Sequence, residues 1–207
     1  MKEKTDKKEI ILDVAEQLFS ELGYDGASTR HIAKEAGVNI SMLNYYFGGK
    51  EGLFLNVFER RVSSFRQYTE NLNNTSIDPW QKIEKWIASY CDRITTHFCF
   101  QKIIYREITL AQRTDLSDAL YEMLLKNINE IKKIITDGIS KGNFNDVDVD
   151  MLIATIFGTK NFIVNATYLS SRVTGVDTSD PQVLADIVRP RLYNHMVTLL
   201  KAYLIKQ

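Results

Sequence analysis

STRHIAKEAGVNISMLNYYFGGK, residues 28–50, predicts two short helices joined by a tight turn. A hydroxyl of Ser28 or Thr29 can cap the first helix, and Asn39 can cap the second. Gly37 lies between them, where a chain leaving a helix often takes the left-handed conformation that suits glycine. Apolar residues at helical spacing give the two helices their inward faces, and these residues are Ile32, Ala33, Ala36, Leu43, Tyr46 and Phe47.

The offsets around Gly37 are typical of a helix-turn-helix. Ala33 lies four residues before the glycine and Leu43 lies six residues after it. Two closely crossing helices need a small residue at the crossing, a glycine in the turn and an apolar side chain from the second helix. The stretch therefore indicates DNA binding, and the alternative is a helical hairpin inside an ordinary all-helical core.

Flanking residues extend this pattern in both directions. Residues 11–29 follow IxxxAxxLFxxxGYxGxST, and residues 32–53 follow IAxxAGVxxxxLxYYFxxKxxL. This pattern resembles the N-terminal domain of the TetR family of transcriptional regulators. The rest of the chain matches that family only in being helical and of the expected length. The resemblance implies a dimeric regulator whose C-terminal helical bundle holds a small-molecule effector.

The remaining chain predicts amphipathic helices joined by short polar turns, without a convincing strand pattern. A first helix should open at Asp6 and end at Gly23, and a polar loop should cover 170–179. Further helices are expected at about 50–71, 80–98, 101–112, 115–140, 149–168, 181–188 and 190–205. We predict an all-α protein with a helix-turn-helix domain at 1–49 and a helical ligand-binding and dimerisation domain at 50–207.

The charge balance is unusual for a nucleic-acid-binding protein, because the formal net charge is zero. Within residues 1–50, six Lys and one Arg stand against eight Asp or Glu. Any positive surface that faces phosphates must therefore be local, built from a few side chains and helix N-termini. The chain has no run of eighteen apolar residues and its charged N-terminus is not a signal peptide, so we expect a cytoplasmic protein without membrane contact.

Candidate DNA contacts lie on the outer face of the second helix and beside it. Asn44 is the best candidate for reading a base, since an amide can pair with N6 and N7 of adenine, and Ile40 can contact a thymine methyl group. The predicted DNA-binding residues are Thr29, Arg30, Asn39, Ile40, Ser41, Asn44, Tyr45, Tyr46 and Lys50. The family resemblance implies phosphate contacts for Thr29, Tyr45, Tyr46 and Lys50, whereas Arg30 rests on its helix position alone.

Two of these residues have ordinary structural alternatives. Tyr46 could pack in the core, and Ser41 could be a solvated residue of the first turn. The helix also departs from common relatives, which often have Gly or Ala near Met42 and Tyr in the place of Asn44. This difference concerns the DNA sequence that is read and leaves the docking mode unchanged.

Polar and aromatic groups on apolar helix faces are candidates for the effector pocket that the resemblance implies. They are Trp86, Tyr90, His97, Tyr105, Arg106, Phe157, Asn161 and Phe162. For each aromatic residue the alternative is plain core packing. Arg106 could anchor an acidic effector, but a surface or inter-helix ion pair in the segment that contains Glu107 is the favoured interpretation.

The helix near 149–168 is apolar on more than one face, which indicates burial from several sides. We expect one side to face the core and another to face a second copy of the chain. Together with the helix near 190–205, it would form a four-helix bundle across a two-fold axis. The predicted partners are therefore a double-stranded DNA operator, a small-molecule effector and a second copy of this chain.

Enzymatic patterns are missing from the sequence, which has no HExxH, CxxC, GxSxG or phosphate-binding loop. Cys91, His97 and Cys99 could form a metal site only if their helix breaks, because helical spacing puts the two thiols about 12 Å apart. We expect no enzyme, no cofactor and no metal. The predicted function is a ligand-responsive repressor of a pseudo-palindromic operator, released by a small molecule; the alternative is a helical small-molecule binding protein without a DNA role.

Overall fold

The computed structural model describes residues 2–110 and 114–205, and side chains within 7–109 and 116–205. All regular elements in this described part are helical, which confirms the all-α prediction. The helices are α1 (Lys2–Gly26), α2 (Thr29–Glu35), α3 (Ile40–Phe47), α4 (Lys50–Asn73), α5 (Pro79–Thr96), α6 (Phe98–Leu110), α7 (Thr114–Ser140), α8 (Val149–Asn165), α9 (Thr167–Thr174), α10 (Pro181–Val183) and α11 (Arg189–Leu204). A π-helical turn, Leu184–Val188, joins α10 to α11.

The chain forms two compact units. Unit 1 comprises Met1–Ser64 and Lys102–Leu124, and unit 2 comprises Phe65–Gln101 and Leu125–Gln207. The helix-turn-helix pair thus shares a unit with the later half of α6 and the start of α7. The functional division after residue 49 stays a prediction, because compactness does not assign function.

Unit 1 is organised by the long helix α1 and by the first part of α4. Gly23 interrupts α1 with a φ of 74°, so the predicted break at this glycine is confirmed. A Cβ at Gly23 would lie 2.7 Å from Nη1 of Arg106, which also lies 3.5 Å from the Phe19 carbonyl oxygen. Apolar side chains from α1, α2, α3 and α4 form the core, among them Ile11, Phe19, Ile32, Leu43, Leu53 and Phe54.

Unit 2 is a helical bundle with one contiguous apolar core. Its most deeply buried members come from α5, α7, α8 and α11, and include Ile83, Trp86, Ile87, Ile135, Ile156, Met196 and Leu204. Asp78 caps α5 through bonds from the Trp80 and Gln81 amides, and Pro79 occupies the first turn, where no N–H donor is needed. None of the described helices has both the length and the apolar character that crossing a bilayer requires.

The structure corrects three predicted boundaries. Helix α1 begins at Lys2, ahead of the expected start at Asp6, whose side chain lies outside the described part. Helix α6 begins at Phe98, three residues earlier than expected, and the predicted end of that helix at Gln112 lies outside the described residues. Helix α9 occupies Thr167–Thr174, where a polar loop was predicted.

The loop prediction for this segment was wrong because the side-chain hydroxyl groups of α9 form hydrogen bonds inside the protein. Ser170 is fully buried, its hydroxyl donates to the Ile163 carbonyl oxygen, and its oxygen lies 2.6 Å from that of Thr178. A run of serine and threonine side chains predicts a solvated loop only when no buried acceptor is available.

Candidate functional site

The helix-turn-helix pair is capped as the sequence predicts. The Ser28 side chain accepts a hydrogen bond from the His31 amide, and the Asn39 side chain accepts one from the Met42 amide at 2.8 Å. Gly37 has a φ of 64°, in the left-handed region. These bonds satisfy amides that would otherwise lack partners at the two helix starts.

The inward face of the pair is tightly packed. Ala33 of α2 is 3% exposed, Leu43 of α3 is fully buried and Phe47 is 6% exposed. The Val38 amide bonds to the Ala33 carbonyl oxygen at 2.9 Å, which closes the turn between the helices. Because these residues fix one face of α3 inward, its opposite face is fixed toward solvent.

The outward face of α3 carries the predicted base-contacting residues. Ile40 is 43% exposed and Tyr45 is 76% exposed, and Ser41 and Asn44 are exposed as well. Asn39 is exposed too, but its side-chain oxygen accepts bonds from both the Met42 amide and the Ser41 hydroxyl. Asn44 therefore presents an exposed amide on this face, while the Asn39 amide oxygen serves the helix cap.

The predicted phosphate-contacting residues flank this face. Arg30 is exposed and Thr29 is half-buried, both in the first turn of α2. Tyr46 is half-buried, with its ring centroid 5.4 Å from that of Tyr45. Lys50 stands at the start of α4, with Nζ 3.3 Å from the Asp25 carbonyl oxygen. The same ammonium group lies 4.6 Å from the centroid of the Tyr24 ring, so it contacts the segment that follows Gly23.

An ion-pair cluster joins the acidic side chains of α1 to α4. Nη1 of Arg60 lies 3.2 Å from Glu9 and 2.8 Å from Asp13, and Nη2 lies 2.7 Å from Glu16. Arg61 Nε also lies 2.9 Å from the buried Glu16 carboxylate. Three acidic side chains of α1 are thus paired with two arginines of α4. Residues 51–64 add Glu51 and Glu59 along with these arginines, so the net charge is −1 through residue 50 and −1 through residue 64.

Four aromatic side chains meet in unit 2, and we call them the aromatic cluster: Phe65, Trp86, Tyr90 and Phe157. Trp86 stacks on Tyr90 with centroids 4.7 Å apart and an interplanar angle of 14°. Phe65 lies 5.7 Å from Trp86, and Phe157 of α8 lies 5.6 Å from Tyr90, edge to face. The indole nitrogen of Trp86 and the hydroxyl of Tyr90 are buried without a hydrogen-bond partner among the described residues.

Buried polar atoms of this kind cost free energy unless something bonds to them. Trp86, Tyr90 and Phe157 were all candidates for the effector pocket, and the structure brings these three together. The indole N–H and the phenol hydroxyl are thus the two polar groups of the cluster that lack a partner among the described residues.

The other effector candidates lie elsewhere. His97 is the half-buried residue that follows α5, Asn161 is exposed and Phe162 is half-buried. Tyr105, 43% exposed, and Arg106 belong to unit 1, whereas the aromatic cluster belongs to unit 2. Arg106 makes its described contact with a carbonyl oxygen of α1.

Two polar residues inside unit 2 were not predicted as site residues from the sequence. Lys160 of α8 is 5% exposed and Gln101 of α6 is 8% exposed, and Nζ of the lysine donates to the amide oxygen at 3.0 Å. Burial lowers the pKa of Lys160 to about 8. The sequence signal for Lys160 was a single charged residue within the mostly apolar stretch 151–164, but a lysine in a helix usually lies on a solvated face.

The burial of Lys160 predicts a pH-dependent stability. Its pKa falls from 10.5 to about 8 on folding, so between those values the unfolded chain binds more protons and stability rises with pH. Below pH 8 both states hold the proton and the destabilisation is fully present, up to about 3 kcal/mol. Lys160→Met should therefore raise the free energy of unfolding at pH 7 and flatten the rise. Urea unfolding at pH 7 and pH 10 tests this, and equal pH slopes for both proteins would contradict it.

The two thiols are placed differently. Cys91 is buried, and burial raises the pKa of its thiol to about 12, whereas Cys99 is exposed. Among the described residues, no three or more His, Cys, Asp and Glu side chains are grouped so that they could hold a metal ion. The helix does break at His97, but the break does not gather the three residues of the metal alternative.

Two uncharged stripes lie exposed on unit 2. One is on α8, and the other consists of the α11 residues that line a groove between α8 and α11. On α8, Met151 is 62% exposed, and Ala154, Thr155, Gly158 and Asn161 continue the same face at helical spacing. A Cβ built at Gly158 would meet no atom within 4 Å. A groove between α8 and α11 is lined by Met151, Leu152, Thr155, His195, Thr198, Leu199, Ala202 and Tyr203.

Comparisons with known proteins agree with this architecture. Residues 11–57 match the family described as bacterial regulatory proteins, tetR family, and residues 79–190 match a tetracyclin repressor-like C-terminal domain. The HTH-type transcriptional repressor NicS of Pseudomonas putida is 29% identical over 178 residues, covering 85% of this chain and 84% of its own. The fatty acid metabolism regulator protein of Bacillus subtilis is 27% identical, covering 77% and 82%. The transcriptional regulator FadR from Bacillus subtilis, solved in complex with stearoyl-CoA, superposes with a TM-score of 0.69 at 22% identity, covering 91% of this chain and 97% of that one.

Proposed function

The chain belongs to the TetR family of ligand-responsive, DNA-binding transcriptional regulators, and from that premise we propose a dimeric cytoplasmic repressor that a small molecule releases from its operator. Members of this family act by binding and are not enzymes. The observation that carries the proposal is the outward face of α3, where Ile40, Asn44 and Tyr45 are exposed while Leu43 is fully buried.

The exposed residues of α3 suit a major groove. An α-helix fits into that groove, where an exposed asparagine can form two hydrogen bonds to adenine and an apolar side chain can contact the thymine methyl group. Asn44 and Ile40 supply these two groups. Arg30, Tyr46 and Lys50 supply groups for phosphate contacts, which position the helix without reading sequence.

A two-fold dimer through α8 and α11 would present two such helices. The exposed stripes on α8 and α11 carry no Lys, Arg, Asp or Glu, as expected for the centre of a subunit interface. The open space beside Gly158 allows a second backbone to approach closely. Two recognition helices related by a two-fold axis would read half-sites about 34 Å apart, which makes the operator pseudo-palindromic.

The aromatic cluster supports an effector site in unit 2. Its rings offer apolar area, and the Trp86 and Tyr90 polar atoms offer hydrogen bonds to a bound molecule. The effector must bind the released conformation more tightly than the DNA-bound one, because a ligand shifts an equilibrium only by its difference in affinity. Helix α4 starts at Lys50 in unit 1 and ends in unit 2, so it is the natural element to carry such a change.

Substitutions on the two sides of α3 should weaken DNA binding in different ways. Asn44→Ala should cost about 1–3 kcal/mol on the preferred duplex and relax specificity at one base pair. Lys50→Ala should weaken all duplexes alike and reduce the slope of log affinity against log salt by about one. Fluorescence anisotropy with a duplex selected by the wild-type protein from a random pool, and with scrambled duplexes, measures both effects.

The exposed Asn129 and Lys126 of α7 provide matched controls. Asn129→Ala and Lys126→Ala should leave both affinity and specificity unchanged. If the wild-type protein selects no duplex from the pool even at low ionic strength, the repressor proposal fails. The alternative of a helical small-molecule binding protein would then account for the fold.

A further inference from the structure

Lys160 is held inside unit 2 by a neutral partner. Its Nζ donates to Gln101 at 3.0 Å, and no carboxylate among the described residues forms an ion pair with it. A buried ammonium group costs several kcal/mol unless an anion compensates it. A lysine at this position is therefore poorly explained as a contribution to stability.

The chain could bury an apolar side chain here at lower cost. Ile156 and Val164, one turn before and one turn after Lys160 on the same helix face, are 1% exposed and belong to the apolar core. Replacing a buried charge by an apolar residue of similar volume is often neutral or stabilising. The cost of keeping Lys160 suggests that its charge serves binding.

One residue of the aromatic cluster, Phe157, lies on α8 beside Lys160 at helical spacing. Phe157, three residues before Lys160, contacts Tyr90, which stacks on Trp86. Unit 2 thus contains a buried ammonium group, a side-chain amide, two polar atoms without hydrogen-bond partners among the described residues, and four packed aromatic rings. A ligand that satisfies all of these has an anionic head group and an apolar body.

We propose that Lys160, with Gln101, anchors the anionic head group of an amphipathic effector whose apolar part packs on the aromatic cluster. This inference rests on the proposed ligand-released repressor and specifies the chemistry of its ligand. A carboxylate and a phosphate monoester share the required charge, since both accept charge-assisted hydrogen bonds from an ammonium group.

Three probes with the same ten-carbon chain separate head group from chain: decanoate, decyl phosphate and decan-1-ol. Isothermal titration calorimetry on the full-length protein should show at least one anion binding about 10- to 100-fold more tightly than the alcohol. The preferred anion identifies the head group. In Lys160→Met and Lys160→Gln this preference should disappear while the affinity for decan-1-ol is retained.

Lys126→Met, which removes an exposed lysine of α7, is the matched control and should keep the preference of the wild-type protein. Thermal unfolding followed by circular dichroism verifies that each variant is folded. The inference is overturned if neither anion binds in the millimolar range, if the alcohol binds as tightly as both anions, or if the Lys160 variants keep the preference.

Duplex binding by the same preparations, measured without any probe, keeps the two proposals apart. If wild type and Lys160→Met both select a duplex, the repressor proposal is supported. The calorimetric titrations with the three probes then decide the anion inference independently. If wild type selects no duplex, the repressor proposal fails, and the inference that depends on it fails with it.

Discussion

Thr155→Arg is expected to convert the protein into a monomer and to abolish high-affinity operator binding. Thr155 is exposed at the centre of the α8 stripe and lines the groove between α8 and α11. The hydroxyl bond that the described residues give it is to the Met151 carbonyl oxygen of the same helix, so the substitution breaks no described bond between helices. The monomer should therefore fold normally.

The effect is large because two-fold symmetry doubles it. Each subunit of the proposed dimer would place one arginine in an uncharged interface, and a buried ion without a partner costs several kcal/mol. We expect the dimer dissociation constant to rise at least about 100-fold. Operator affinity should fall with it, because each monomer then binds one half-site without the gain from a linked second site.

Sedimentation velocity over a range of concentrations, together with anisotropy on the selected duplex, measures both changes. Asn129→Arg introduces the same charge on an exposed face of α7 and should leave a dimer that binds the operator. A Thr155→Arg protein that sediments as a dimer would show that this face is not the interface. Wild-type protein that sediments as a monomer at micromolar concentration would exclude the dimer itself.

Leu43→Asp is expected to unfold the helix-turn-helix pair while unit 2 stays intact. Leu43 is fully buried against α2, so the change removes an apolar side chain and buries a carboxylate in its place. The two effects together should cost about 5 kcal/mol or more. Operator affinity should fall about 1000-fold or more, since α3 would no longer be held in one orientation.

Leu125→Asp is the matched control. Leu125 of α7 is 48% exposed, so the new carboxylate stays in contact with water and the substitution should not unfold the protein. Hydrogen exchange provides the decisive measurement, since it reports protection residue by residue. Amides of α2 and α3 should lose protection in Leu43→Asp, while those of α5, α8 and α11 keep theirs. Retained protection throughout α3 would show that Leu43 is not the residue that holds the pair together.

Local sequence signals predicted the recognition pair well because its structure is locally determined. Caps at Ser28 and Asn39 and the turn at Gly37 depend on residues within a few positions, and all three are confirmed. The long helices followed from apolar periodicity in the same way. Helix α9 did not, because its stability depends on a hydroxyl contact between Ser170 and Thr178 that only the folded chain creates.

The interior of unit 2 was harder to predict for a related reason. Aromatic periodicity identified Trp86, Tyr90 and Phe157, but it could not show that two of their polar atoms lack hydrogen-bond partners within the described part of the chain. Helical periodicity alone does not tell which polar residue of α8 is turned inward, so it did not identify Lys160. Its partner Gln101 lies 59 positions away, beyond the reach of local patterns.

The ion pairs between α1 and α4 also bear on the engineering of hybrid regulators. A recognition module cut after residue 49 would carry Glu9, Asp13 and Glu16 but leave Arg60 and Arg61 behind. The buried Glu16 carboxylate would then lose both of its arginine partners, which destabilises the transplanted module. A join placed after Ser64, where the first segment of unit 1 ends, keeps both arginines with the carboxylates that they pair with.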